Sequence, residues 1–155
     1  MKPTTKLKML KNPHRCRHFV SISFALLALF LSINLSSAQT LSTALDTANL
    51  VWTTGGSAAW VGQTSVTHDG ADAARSGAIF EGQESWLQTT VTGPGRVAFW
   101  WKVSSEGDFD QLEFSIAGAA QAAISGEQDW QRVSFNVGAG SQALRWRYSK
   151  DFGGD

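Results

Sequence analysis

The acidic segment Glu106-Gly107-Asp108-Phe109-Asp110 is the densest group of side chains in this sequence that could do chemistry. Two chemistries use carboxylates in this way. β-Sandwich glycosidases set a pair at alternate positions of one strand, and retention needs the two carboxyl groups about 5 to 5.5 Å apart. Positions 106 and 110 lie roughly 13 Å apart along an extended strand. Asp110 is too short to reach back, and Gly107 makes the segment read as a hairpin loop, so a solvated acidic turn ranks ahead of catalysis. Calcium is the second chemistry, because it accepts oxygen donors from loops with flexible geometry. Asp69, Asp72, Glu106, Asp108 and Asp110 are its candidate ligands, and Asp151 with Asp155 forms a second cluster. The Asp-x-Asp-x-Asp-Gly spacing of an EF-hand is absent, so no metal is specified.

Nucleophilic and zinc chemistry are poorly served. The histidines are His14, His18 and His68, and the one cysteine is Cys16. Beyond residue 38 a Ser-His-Asp triad would have to use His68. The closest text to a Gly-x-Ser-x-Gly elbow is Gly55-Gly56-Ser57-Ala58-Ala59, which does not match it. One histidine without cysteine cannot supply the usual nitrogen and sulfur ligands of zinc.

Binding is better served. All seven tryptophans follow residue 38, and rigid aromatic rings stack on planar or apolar ligand faces at low entropic cost. Trp101 and Trp146 continue the apolar faces of their strands and read as core. Trp60 in a Gly-rich loop, and Trp100 opposite Trp101 and beside Lys102, are the candidates for ligand contact, with packing against a second layer as the alternative. Arg145 and Arg147 leave the polar face of one strand together and could hold a carboxylate or an acidic sugar bidentately. Cross-strand pairing with Glu113 or a neighbouring acid is the default reading.

These side chains sit on alternating segments. Residues 96–103 follow Gly93-Pro94-Gly95 and point Val97, Phe99, Trp101 and Val103 one way. In 111–116 the even positions are apolar. In 131–137 the odd ones are, from Val133 onward, and after Gly138-Ala139-Gly140 the residues Leu144, Trp146 and Tyr148 share a face. Each reads as a strand with one buried face, which is the mark of antiparallel sheets. Weaker strands are expected at 50–53, 65–68, 78–80, 86–91 and 122–125, and a helical turn within 41–47. Strands at roughly ten-residue spacing predict an all-β antiparallel sandwich with jelly-roll or Greek-key connections.

The 155 residues carry 13 basic and 13 acidic side chains, but the balance hides an asymmetry. Residues 1–38 hold six bases and no acid, and the 117 that follow have seven bases against 13 acids, a net −6. That sign argues against nucleic acid or anionic lipid as the main partner. A hydrophobic share of 43% with 17% charged residues excludes a disordered chain. The basic stretch, the apolar run 19–35 and Ser36-Ser37-Ala38 form a signal peptide, with its helix in the apolar run and cleavage expected after Ala38 in preference to an uncleaved anchor. Two segments follow: a leader at 1–38 and one β-sandwich module at 39–155, secreted or held at the cell surface, with no membrane span once the leader is removed. Without cysteine, that module must rely on packing, pairing or bound ions.

Several blocks together resemble a module of large exported bacterial proteins that is similar to MAM and concanavalin-type lectin sandwiches. They are Trp52-Thr53-Thr54-Gly55-Gly56, residues 63–70, residues 85–93, Phe99-Trp100-Trp101-Lys102-Val103-Ser104, residues 124–130 and Leu144-Arg145-Trp146-Arg147-Tyr148-Ser149-Lys150-Asp151. The resemblance implies a non-catalytic accessory module that binds an extracellular glycan or a cell-surface protein. The bridging cysteines of MAM modules are absent. Modules of this kind continue past the Lys-Asp loop into a final strand, so the chain is expected to be incomplete at its C-terminus. The expectation is therefore a binding or adhesion module of a larger secreted protein. A β-sandwich glycoside hydrolase fragment and a purely structural spacer are the alternatives.

Overall fold

The computed structural model describes Thr4–Lys6 and residues 39–153. The elements in chain order are β1 (Thr4–Lys6), α1 (Leu41–Ala44), β2 (Trp52–Gly56), β3 (Val61–Gln63), β4 (Ala73–Arg75), β5 (Glu84–Ser104), β6 (Gln111–Ile116), β7 (Ala119–Ile124) and β8 (Glu127–Ser149). All strand pairs are antiparallel. The order β3-β4-β1-β5-β8-β6-β7, with β2 also on β5, makes an all-β sandwich as the alternation predicts.

The sandwich is one long ribbon bent over itself. β5 and β8 pair from Glu84↔Ser149 to Ser104↔Glu127, and the ribbon bends where Gly93, Pro94 and Gly95 meet residues 137–140. One half of the ribbon carries β2, β6 and β7, and the other carries β1, β4 and β3. We call these the first and second layers. Because the ribbon bends around one face, that same face lines both layers. In β5 the odd positions point inward on either side of the bend, Leu87 and Thr89 before it and Val97, Phe99, Trp101 and Val103 after it.

β8 achieves the same inward face only by changing parity. Gly93 pairs with Gly140 and Gly95 with Val137, so β8 takes three steps where β5 takes two. That extra residue is a bulge, and a one-residue slip exchanges the two faces of a strand. Val133, Phe135 and Val137 therefore face inward before it and Leu144, Trp146 and Tyr148 after it. The expected turns at 93–95 and 138–140 are thus bends inside continuous strands, and the segments they appeared to separate are halves of β5 and β8. Residues 65–68 and 78–80, expected as strands, are irregular, and the strand expected at 50–53 lies at Trp52–Gly56.

The two layers meet at Phe99. Its ring lies 5.1 Å from Trp146 and 4.8 Å from Phe114, both edge-on and both in the first layer, while Trp101 and Phe135 flank it within the second. Such edge-to-face pairs add about 0.5–1.5 kcal/mol each beyond burial. The signal-peptide helix expected in 19–35 lies outside the described residues. Thr4–Lys6, within the same expected leader, pairs as strand β1, with Thr4↔Arg75 and Thr5↔Ala74 on one side and Thr4↔Lys102, Thr5↔Trp101 and Lys6↔Trp100 on the other.

Candidate functional site

The even positions at the start of β5 point away from the core, and so do the odd positions of β6 and of the second half of β8. The outer face of the first layer therefore gathers Glu84, Gln88, Glu113, Ser115, Arg145 and Arg147 around an open depression of about 480 Å³. Arg147 bridges two strands, with Nη1 3.5 Å from Glu84 and Nη2 3.5 Å from Glu113. The expected pairing with Glu113 is present and extends to Glu84. Arg145 donates from Nε to Gln88 Oε1 at 2.8 Å, and its guanidinium lies over the Trp86 ring at 4.6 Å. That ring lies against Gly55 on the neighbouring strand, where a Cβ would come within 2.3 Å of its Cζ2. Both arginines, Glu84, Glu113 and Gln88 are thus held by a neighbour, in a depression floored by three paired strands.

Trp86 was not singled out among the candidates from sequence. Its signal is parity: Leu87 and Thr89 face the core, so a tryptophan one residue away must face outward.

The other candidates lie elsewhere. Trp60 is 2% exposed and belongs to the core, which removes it from ligand contact; its backbone N–H donates to Thr54 Oγ1 at 2.7 Å. Trp100 and Lys102 share the outer face of the second layer, on the opposite side of the sandwich from Arg145 and Arg147. One face of Trp100 is covered by His68, stacked at 3.8 Å, and Trp130 meets His68 edge-on. Lys102 donates to Asp129 Oδ1 at 3.1 Å. The backbone N–H of Trp130, with Lys102 next, holds the Asp129 carboxyl below its ordinary range. The five expected ligand residues thus divide among two opposite faces and the interior.

The acidic candidates divide as well. Asp69 accepts from the Ala71 N–H at 2.9 Å, Asp72 accepts from Gln39 Nε2, and Asp108 is exposed on the loop before β6. Glu106 and Asp110 come together, and the third carboxylate beside them is Asp151, not a member of the expected five. The pairing Gln111↔Ser149 brings the end of β8 beside the start of β6 and so delivers Asp151. Asp151 is held by its backbone, its carbonyl accepting from the Gly82 N–H at 2.5 Å. Asp110, far from solvated, is 2% exposed. Its Oδ2 accepts from Tyr148 Oη at 3.2 Å and lies 3.3 Å from Lys150 Nζ, while its Oδ1 has no hydrogen-bond partner among the described residues.

Burial, and then the Asp110 charge, raise the Tyr148 phenol well above its ordinary value near 10. A raised value means the folded state holds the proton more tightly. The contribution to stability is complete below the unfolded pKa and is lost as pH climbs from there toward the folded one. Tyr148 is the single tyrosine, so the tyrosinate increment in absorbance at 295 nm, over the constant background of the tryptophans, comes from it alone. Tyrosinate is expected to appear only together with loss of the near-ultraviolet dichroism of the core. A smooth titration near pH 10 with the fold intact would contradict the burial of this hydroxyl.

No protein-family model matches the chain, and neither a curated protein nor a solved structure matches it. Among the described residues no helix is long and apolar enough to cross a membrane.

Proposed function

We propose that this chain is an exported, non-catalytic binding module of a larger secreted protein, and that it holds an extracellular saccharide in the depression on the outer face of the first layer. One observation carries the reading: donors and acceptors on three adjacent strands, fixed by bonds to one another, surround a cavity of about 480 Å³. A saccharide offers hydroxyls that both donate and accept. Arg145 and Arg147 supply donors, Glu84 and Glu113 supply acceptors, and Gln88 supplies both. Side chains already tethered in place lose little rotamer freedom when a ligand arrives. The resemblance to lectin-type sandwiches, the leader composition and the net −6 beyond it support the same reading, a secreted or surface location included.

The test is a glycan array followed by calorimetry with the saccharide retained. Arg145→Ala removes the guanidinium that joins Gln88 to Trp86 and is expected to weaken binding at least tenfold, whereas Trp100→Ala, on the opposite face, leaves it unchanged. Array silence would favour the structural spacer. Equal affinity of Arg145→Ala and the unaltered chain would place binding elsewhere. Turnover of any retained saccharide would favour the hydrolase.

A further inference from the structure

We propose that Glu106, Asp110 and Asp151 form a site for one calcium ion where the β5–β6 loop meets the end of β8. This does not depend on the saccharide reading. The three carboxylates each offer one oxygen, and these oxygens lie within 4.8 Å of one another. Calcium accepts several carboxylate oxygens in flexible geometry, whereas magnesium demands a near-ideal octahedron, keeps most of its waters and is held through one or two carboxylates. Three converging protein carboxylates therefore suit the larger ion. The donors are all hard oxygens, which disfavours zinc and copper.

A separate observation points to a missing partner. Asp110 is almost wholly enclosed, and its Oδ1 has no hydrogen-bond partner among the described residues although Oδ2 has two neighbours. Buried carboxylate oxygens are ordinarily satisfied, and an orphaned one calls for a ligand, water or ion. Charge supports the same conclusion. Three carboxylates face one ammonium, that of Lys150, among the described residues. Lys150 lies on the chain between Tyr148 and Asp151, and its side chain is 24% exposed, so it can turn outward when a divalent ion replaces it. Lys150 then acts as the resident cation of the ion-free form.

Terbium, which takes calcium sites, is the probe, with its luminescence excited through aromatic side chains including Tyr148 at Asp110. With the full chain, emission is expected to rise to saturation at one ion per chain and to be displaced by calcium at a far lower concentration than by magnesium. The calcium dissociation constant should fall in the range of about 10⁻⁴–10⁻³ M typical of extracellular modules. At that affinity 10 mM calcium raises the thermal midpoint by about 4–9 °C over the chelator-treated chain. Asp110→Asn risks misfolding, so the deciding variants are the partly exposed Glu106→Gln and Asp151→Asn, each expected to weaken terbium binding at least tenfold with the dichroism spectrum unchanged. Asp69→Asn, outside the cluster, should have no effect. Absence of emission, emission undiminished in both deciding variants, or displacement by magnesium as readily as by calcium would each overturn the proposal.

Discussion

Replacing Trp146 by alanine is expected to lower the unfolding free energy by about 3–5 kcal/mol, the range for emptying a large aromatic site. The ring is fully enclosed. It touches Phe99 of the opposite layer at 5.1 Å, Phe114 of the next strand at 4.7 Å and Trp52 at 5.8 Å, so its loss opens the contact through which the two layers meet. Against a total stability of about 5–15 kcal/mol, that leaves a marginal domain. Phenylalanine should cost less than half as much. The Trp146 indole Nε1 is buried with no hydrogen-bond partner among the described residues, and an unsatisfied buried donor costs about 1–3 kcal/mol. Removing it offsets part of the lost area. Urea midpoints at an unchanged m-value measure both variants. Equal costs for alanine and phenylalanine would refute the role given to the orphaned N–H, and a tolerated alanine would refute the layer contact.

Gly93→Ala is expected to cost about 3 kcal/mol or more, the upper end for an inserted methyl group. At this point of the bend a Cβ would lie 1.9 Å from the Gly138 carbonyl oxygen, and that atom is backbone, so nothing can rotate out of its way. Gly95, two residues on in the same bend, provides the comparison. Its added Cβ meets nothing within 4 Å and its φ lies outside the left-handed range. Gly95→Ala should therefore stay within about 1 kcal/mol of the unaltered chain, with a gain allowed by the stiffer unfolded state. Similar midpoints for the two variants would mean that the bend does not rest on the close approach of Gly93 to Gly138.

The layers of this fold are legible in the alternation of side chains, and the way they join is not. Val97, Phe99, Trp101, Leu112, Phe114, Leu144, Trp146 and Tyr148 all read as one buried face and all line the core. The change of parity in β8 is visible too, since odd positions are apolar up to Val137 and even ones from Leu144 onward. A turn between two strands and a bulge inside one strand produce the same pattern. Glycines on both sides of the ribbon favour the first reading, whereas the ladder from Glu84 to Ser104 settles the second. The depression was half legible: Arg145 and Arg147 follow from alternation, while Glu84 and Gln88 reach them through a pairing some sixty residues distant in sequence. The Glu106, Asp110 and Asp151 group was less legible still. Sequence distance assigned Asp151 to a different cluster, and only the Gln111↔Ser149 register unites the three. Trp60 shows the converse, a glycine-rich neighbourhood suggesting exposure while the indole lies inside.

The short first strand gives the sandwich a keystone drawn from a stretch of chain far from its other strands in sequence. Thr4–Lys6 is wedged between β4 and β5, while the chain joining it to α1 runs through the apolar stretch and the small residues at 36–38. Trimming after Ala38 would pull that keystone out. Residues 73–75 and 100–102 would then face each other across a gap one strand wide, with backbone donors and acceptors lining both banks and a preference for any extended peptide that slides in. Such a cut would thus do more than shorten the polypeptide: it would leave a vacancy in the middle of the sheet.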